Sequence, residues 1–362
     1  KAEEEVLGPT GRKGPALVIE SDGEDTPAEP LPPIADWETA DPSALRDRVS
    51  QAGLVGMGGA AFPTFVKLSP PPNKPVDILI VNGVECEPFL TADDRLMLEQ
   101  VEKVLIGTRI AARILGVKRM VIGIEENKPE AIKVVRAACE GTDVEVLSLR
   151  VRYPQGAEKQ LIYAATERKV PAPGLPSDIG AVVQNVGTMV ALAEAVVEGK
   201  PLYERVTTIT GTPLVSPGNW RLRVGTSYAD ALKLAGGVKC DTGKILSGGP
   251  MMGFAVYSLE IPVMKNTSGI TLLGMDELSQ FTSGPCIRCG RCVDACPMSL
   301  RPGMLSVMIE SCAFEQAEGA HVEHCIECGC CSYVCPSSRP LVQHLRRGKA
   351  EAVARRRAAE GK

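Results

Sequence analysis

Thirteen cysteines occur in 362 residues, and ten of them crowd between Cys286 and Cys335. The first run reads Cys286-Ile-Arg-Cys289-Gly-Arg-Cys292-Val-Asp-Ala-Cys296-Pro297, and the second Cys325-Ile-Glu-Cys328-Gly-Cys-Cys331-Ser-Tyr-Val-Cys335-Pro336. Each run places two residues between its first three cysteines, three before the fourth, and a proline after it. Three closely spaced thiolates wrap a loop around one iron–sulfur cubane, whose soft iron prefers sulfur, while the fourth cysteine of such a run ligates the other cluster. The spacing therefore predicts two [4Fe-4S] clusters, one on Cys286, Cys289, Cys292 and Cys335 and the other on Cys325, Cys328, Cys331 and Cys296. The fourth cysteine is read as the start of a helix aimed at the other cluster. Gly290 and Gly329 let the backbone approach the inorganic sulfurs, and Pro297 and Pro336 turn the chain away. Zinc fits poorly, because structural zinc takes four ligands, commonly as two separated pairs. Cys330, Cys86, Cys139, Cys240 and Cys312 are read as small reduced residues of the core.

A second chemistry is suggested by glycine. The stretch Gly53-Leu-Val-Gly56-Met-Gly58-Gly59-Ala-Ala-Phe62-Pro63-Thr64-Phe-Val-Lys67 can cradle a phosphate with successive backbone N–H groups, and Lys67 adds a cation. It lacks the Walker Lys-Ser/Thr ending and does not sit between a strand and its helix, so a structural turn is the competing reading. Asn82-Gly-Val-Glu85-Cys86-Glu87-Pro88 follows an apolar run, 76–81, that reads as a buried strand. Ligands of open parallel sheets bind at the carboxyl ends of strands. Asn82 is placed there to hydrogen-bond an isoalloxazine edge, and Glu85 and Glu87 to hold ribose hydroxyls or a nicotinamide amide. A solvated loop is the plain alternative for both acids.

These residues need elements to hold them. Strand-like runs at 76–81, 119–124 and 144–149 alternate with helical patterns at 95–115, 129–139, 158–168 and 188–198, which predicts a parallel sheet with crossover helices. An earlier helix starts after Ser43 and stops near Gly53. Residues 202–260 carry strand-like segments at 205–210, 221–224 and 244–247 and one helix at 227–235, an α+β unit. The expected layout is 1–35 as a strand remnant (16–20) and linker, 36–201 as a Rossmann-like α/β domain, and 202–260 as the α+β unit. The cluster domain follows at 261–345, and 346–362 form a basic tail, solvated or weakly drawn to anionic surfaces. Hydrophobic residues make up 44% of the chain, enough for a large core. A net charge of −4 and 4% aromatics give no case for nucleic acid. No apolar stretch approaches the roughly 18 residues of a membrane span, and the opening Lys-Ala-Glu-Glu-Glu carries no apolar leader.

The glycine loop with Phe62-Pro63-Thr64, the 82–88 segment and the twin cysteine runs together resemble the RnfC family of the Rnf-type ion-translocating electron transport complex, over nearly the whole chain. A more remote resemblance is to the NADH- and flavin-binding subunit of respiratory complex I, whose Asn-Asn-x-x-Thr segment corresponds to Gln184-Asn185-Val-Gly-Thr188 and whose Gly-Glu-Glu turn corresponds to Gly156-Ala-Glu158. This resemblance implies non-covalent FMN contacts at Gly56, Gly58, Gly59, Lys67, Asn82, Asn185 and Thr188, and NAD(H) contacts at Phe62, Glu87 and Glu158. It makes 202–260 a soluble-ligand-binding β-grasp (SLBB) domain and 1–35 the remnant of a lipoyl-like barrel, so that the chain lacks its natural N-terminus. Ala61 and Phe65 stand where the complex I loop has glycines, and Val84 where it has an acid. The implied function is the NAD(H) end of a ferredoxin:NAD oxidoreductase. It would lie peripherally on the cytoplasmic side of the inner membrane, with integral membrane subunits as partners and ferredoxin as an indirect one. The competing readings are a soluble flavin/iron–sulfur cobalamin reductase of a microcompartment and a non-catalytic ferredoxin-like electron relay.

Overall fold

The computed structural model describes residues 2–24, 26, 28–172, 174–278, 284–359 and 361. The chain divides into two compact units, Lys1–Asp276 and Glu277–Lys362.

The first unit opens with an antiparallel hairpin, β1 (Ala2–Leu7) and β2 (Lys13–Val18). Helix α1 (Pro42–Gln51) follows, and its N-cap is Asp41, whose carboxylate accepts the Ser43 N–H at 2.7 Å. A short helix α2 (Thr64–Lys67) closes the glycine loop. The main sheet holds β3 (Ile78–Gly83), β4 (Arg119–Glu125), β5 (Val144–Leu149) and β6 (Ala181–Asn185) in the order β5-β4-β3-β6, with parallel pairing throughout. Its strands are apolar on both faces, as a sheet covered on both sides requires. Leu79, Val81, Ile122 and Val182 pack with helices α1, α4 (Val101–Leu115), α5 (Pro129–Cys139) and α7 (Val186–Ala193). Ile78, Ile80, Val121 and Val183 pack with α6 (Glu158–Thr166) on the other face. The register sets Asn82 beside Asn185, so two predicted site residues share one edge of the sheet.

The expected helix over 95–115 is two helices, α3 (Ala92–Glu99) and α4, broken at Gln100 where φ is −133°. Helices α4 and α7 cross at Gly107, where an added Cβ would lie 1.9 Å from Met189 O.

The second sheet has the order β10-β9-β11-β7-β8. It holds β7 (Glu204–Gly211), β8 (Gly218–Arg223), β9 (Thr242–Ser247), β10 (Phe254–Val256) and β11 (Gly269–Gly274), with α8 (Tyr228–Leu234) packed on it through Tyr228 and Leu232. Strand β11 runs parallel to β7 and completes this sheet beyond the boundary expected at 260.

The second unit is helical: α9 (Arg291–Asp294), α10 (Pro302–Glu310), α11 (Phe314–Gly319), α12 (Cys330–Tyr333) and α13 (Leu341–Ala359). The stretch expected to be a basic tail is most of α13, which buries Leu341, Val342, Leu345, Gly348 and Ala352. Its charges find acids nearby. Arg346 and Lys349 pair with Glu327 at 3.0 and 2.5 Å, and Arg356 pairs with Glu318 at 2.8 Å. Among the described residues, no helix is long and apolar enough to cross a membrane.

Candidate functional site

The two cysteine runs fold alike. Arg288 and Glu327 take φ of 55° and 59°, Gly290 and Gly329 take 80° and 83°, and Ser299 and Ser338 take 54° and 47°. These left-handed positions curl each run around a hollow, and α9 and α12 are the single helical turns that carry the third cysteines. Each fourth cysteine follows its turn instead of starting a helix, which corrects the sequence expectation.

The fourth cysteines cross between runs. The Cys331 thiol is pushed up to about 12, first by burial and then by Cys325, Cys328 and Cys296 facing it. Burial raises Cys292 as well, and Cys286 and Cys335 lie close to it. A small hollow is lined by Cys296, Cys325, Cys328 and Cys331 together with Leu300 and Val342. Four convergent thiols around an apolar hollow suit a cubane. Loading it exchanges thiol protons for iron. Backbone N–H groups already point at the sulfurs, from Leu300 to Cys296 at 3.4 Å and from Glu327 to Cys325 at 3.3 Å. Such donors help set cluster potential. The two sites differ in exposure, since Cys328 and Cys331 are buried whereas Cys289 is exposed. Of the remaining cysteines, Cys139 is buried, but Cys240 and Cys312 are exposed and are not core residues.

In the first unit the glycine loop meets the start of α7. Met57 N–H donates to Thr188 Oγ1 at 3.0 Å, and a Cβ on Gly58 would lie 3.0 Å from Asn185 Nδ2. Asn185 caps α7 by accepting the Gly187 N–H at 2.8 Å, and its amide donates to Asp93 at 2.6 Å. The back of the loop is held by the second sheet. Lys265 Nζ donates to Gly53 O at 2.7 Å, Arg205 Nη1 to Met57 O at 3.0 Å and Asn266 Nδ2 to Gly59 O at 2.8 Å. In a trans peptide the C=O and the next N–H point in opposite directions. Anchoring the carbonyls of Met57 and Gly59 therefore turns the N–H groups of Gly58 and Ala60 away from that sheet. A Cβ on Gly59 would meet nothing within 4 Å. Outward N–H groups with open space beside them suit a phosphate.

The other predicted residues fall around this loop. Lys67 pairs with Glu158 at 2.7 Å. Asn82 donates to Gly156 O at 2.9 Å and accepts the Val84 N–H at 3.0 Å, joining the two segments named from the sequence. Phe62 is exposed at the loop's tip. Glu85 spends its oxygens on the start of α3, accepting the N–H groups of Asp93 at 3.0 Å and Asp94 at 3.2 Å. Burial, then the Asp93 charge, raises its carboxyl to about 8. Both of its oxygens cap the start of α3. Glu87 accepts from Met251 and Met252 N–H and from the Tyr153 hydroxyl. Sequence reasoning missed Asp93, Arg205, Lys265 and Asn266. Arg205 sits in an ordinary strand pattern, and only the fold brings it, fully covered, under the loop.

Known proteins share this arrangement in sequence. Residues 49–194 match the Nuo51 FMN-binding domain, 206–255 the SLBB domain and 280–336 the 4Fe-4S dicluster domain. The RnfC protein of Acetobacterium woodii, from its Na(+)-translocating ferredoxin:NAD(+) oxidoreductase complex, is 44% identical over 98% of this chain and 81% of its own length. The chain belongs to the RnfC family. The corresponding protein of the proton-translocating ferredoxin:NAD(+) oxidoreductase complex of Clostridium ljungdahlii is 50% identical over 84% of this chain and 66% of its own length. That of the ion-translocating oxidoreductase complex of Pseudomonas aeruginosa is 44% identical over 94% of this chain, which spans only 44% of that relative. Among solved structures, an NAD+-reducing [NiFe]-hydrogenase in the H2-reduced state shares the fold, with a TM-score of 0.61 at 18% identity over 91% of this chain and 70% of that one. The family thus has a parallel-sheet α/β domain, an SLBB domain and a dicluster domain in this order.

Proposed function

We propose that this chain is the NAD(H)-handling electron-transfer subunit of a membrane-bound, ion-translocating ferredoxin:NAD oxidoreductase. The observation that carries this reading is the meeting of glycine loop, sheet edge and α7 N-terminus around outward N–H groups, in a chain that also brings two cysteine quartets together. FMN, when bound, exchanges hydride with NAD(H) and single electrons with iron–sulfur clusters, which neither partner does with the other.

The residues supply position and electrostatics. Gly58 and Ala60 N–H groups, with the α7 N-terminus behind Asn185, receive the flavin phosphate. Lys67, held by Glu158, adds a cation at the loop's far end. Asn82 and Thr188 fix the loops that border the ring. Glu87 and Glu158 face the nicotinamide nucleotide. Cys286, Cys289, Cys292 and Cys335 hold one [4Fe-4S] cluster, and Cys325, Cys328, Cys331 and Cys296 the other. The proposed layout is an α/β domain over 36–201, an SLBB unit extended from 202 through β11, and a cluster domain that takes in α13. Integral membrane subunits are the proposed partners, with ferredoxin an indirect one. The proposed place is the cytoplasmic face of the inner membrane, beside those membrane subunits. Anaerobic purification from membranes tests this. Co-purifying membrane subunits, bound FMN and about eight irons per chain, the content of two full cubanes, are expected. Recovery with microcompartment shell proteins, or without flavin, would overturn it.

A further inference from the structure

The turn 248–253, Gly-Gly-Pro-Met-Met-Gly, joins β9 to β10. It reaches out of its own sheet to the 82–88 segment. Glu87 Oε1 accepts the N–H groups of Met251 at 2.7 Å and Met252 at 3.0 Å, and Oε2 accepts the Tyr153 hydroxyl at 3.2 Å. The approach is so close that residue 249 has to be glycine. A Cβ there would lie 2.2 Å from Glu87 Cγ and 2.6 Å from Oε1.

The turn is itself fixed. Gly248 N–H donates to Gly269 O at 2.7 Å, and Thr271 Oγ1 donates to Gly248 O at 2.8 Å, both on β11. Gly253 N–H donates to Gly249 O at 3.0 Å. Glu87 is thus clamped by donors that do not move with it. A carboxylate held in one orientation loses less freedom when a ligand binds. The same donors offset its charge, which would otherwise oppose a nucleotide carrying phosphates.

We propose that the 248–253 turn is a positioning element of the dinucleotide site, whose two N–H groups aim Glu87 at the ribose hydroxyls or carboxamide of NADH. This rests on the reading of Glu87 as a nucleotide contact. It gives the stretch that matches the SLBB family a part in nucleotide binding through its backbone alone.

The test is NADH binding by calorimetry to the flavin- and iron-loaded protein, kept fully reduced with dithionite so that no turnover occurs. Gly249→Ala pushes Glu87 aside and should weaken NADH about tenfold, the order expected for one lost charge-assisted hydrogen bond. Flavin content and dithionite-reduced cluster spectra should stay as in the parent. In a Glu87→Gln background, itself weakened, Gly249→Ala should add little, whereas a general distortion would weaken both backgrounds alike. If Gly249→Ala protein does not accumulate, Met251→Pro replaces one donor by a ring carbon that displaces Glu87 from that side, and should give the same pattern. Parent-like NADH affinity in these turn variants, beside a weakened Glu87→Gln, would overturn the proposal alone. Parent-like affinity in Glu87→Gln would overturn the reading of Glu87, and the proposal with it.

Discussion

At the scale of single residues, the account turns on which groups face one another. Cys296 belongs by sequence to the first run, but its thiol faces Cys328 and Cys331 of the second. Cys296→Ser should therefore remove the cluster held by Cys325, Cys328 and Cys331 and spare the other. Iron should fall from about eight to about four per chain, with one of two low-temperature EPR signals lost. Loss of the Cys286 cluster instead would reverse the pairing. Glu85 makes a second prediction. Its folded pKa, about 8, lies above the ordinary 4.5, because burial and Asp93 disfavour its charge. The folded state then holds a proton that the unfolded chain has released, so this contribution to stability is full below 4.5 and is lost as pH rises through about 8. Melting of the first unit should weaken across that window, and Glu85→Gln should flatten the slope whatever it does to the absolute midpoint. An unchanged slope would mean that Glu85 is ionised throughout. The two cysteine quartets were legible because residue type and spacing are local properties of the chain. The clamp on the glycine loop was not, because Arg205, Lys265 and Asn266 lie far from it in sequence and meet it only through the second sheet.

At the scale of elements, positions depend on close backbone approach. Gly107 lets α4 touch the backbone of α7, and α7 carries Asn185 and Thr188 into the loop. Gly107→Ala should cost about 1–3 kcal/mol, as overpacking of a filled core does. It should also loosen flavin, read as a lower melting temperature together with free flavin after gel filtration. Retention of both would show that the crossing has slack. Helix α5 and strand β5 match the sequence reading residue for residue, since Pro129 and the apolar alternation mark them locally. The break between α3 and α4 was invisible. No glycine or proline marks Gln100, whose N–H still donates to Leu96 O at 2.9 Å. Helix α13 was read as a tail because it has few large apolar residues. Beyond Leu345 it packs through small ones, Gly348 and Ala352, and a Cβ on Gly348 would lie 2.6 Å from Ile309 Cδ1.

At the scale of the whole molecule, the chain holds a unit that matches an FMN-binding domain and a unit that matches a dicluster domain, and the proposed function requires electrons to pass from one chemistry to the other. The order of domains was readable from composition and periodicity, while the extent of the second sheet was not, because β11 pairs with β7 from far along the chain. The central claim is that flavin on the 56–67 loop is the obligatory link between NADH and the clusters. Gly59→Asp tests it most directly, because a Cβ there meets nothing within 4 Å and the carboxylate adds only charge where the phosphate would sit. The measurement is cluster bleaching in an anaerobic NADH titration, followed by dithionite. The account predicts that Gly59→Asp protein lacks flavin, keeps clusters that dithionite reduces fully, and shows no bleaching by NADH. Full flavin and full NADH-driven bleaching in that variant would contradict it.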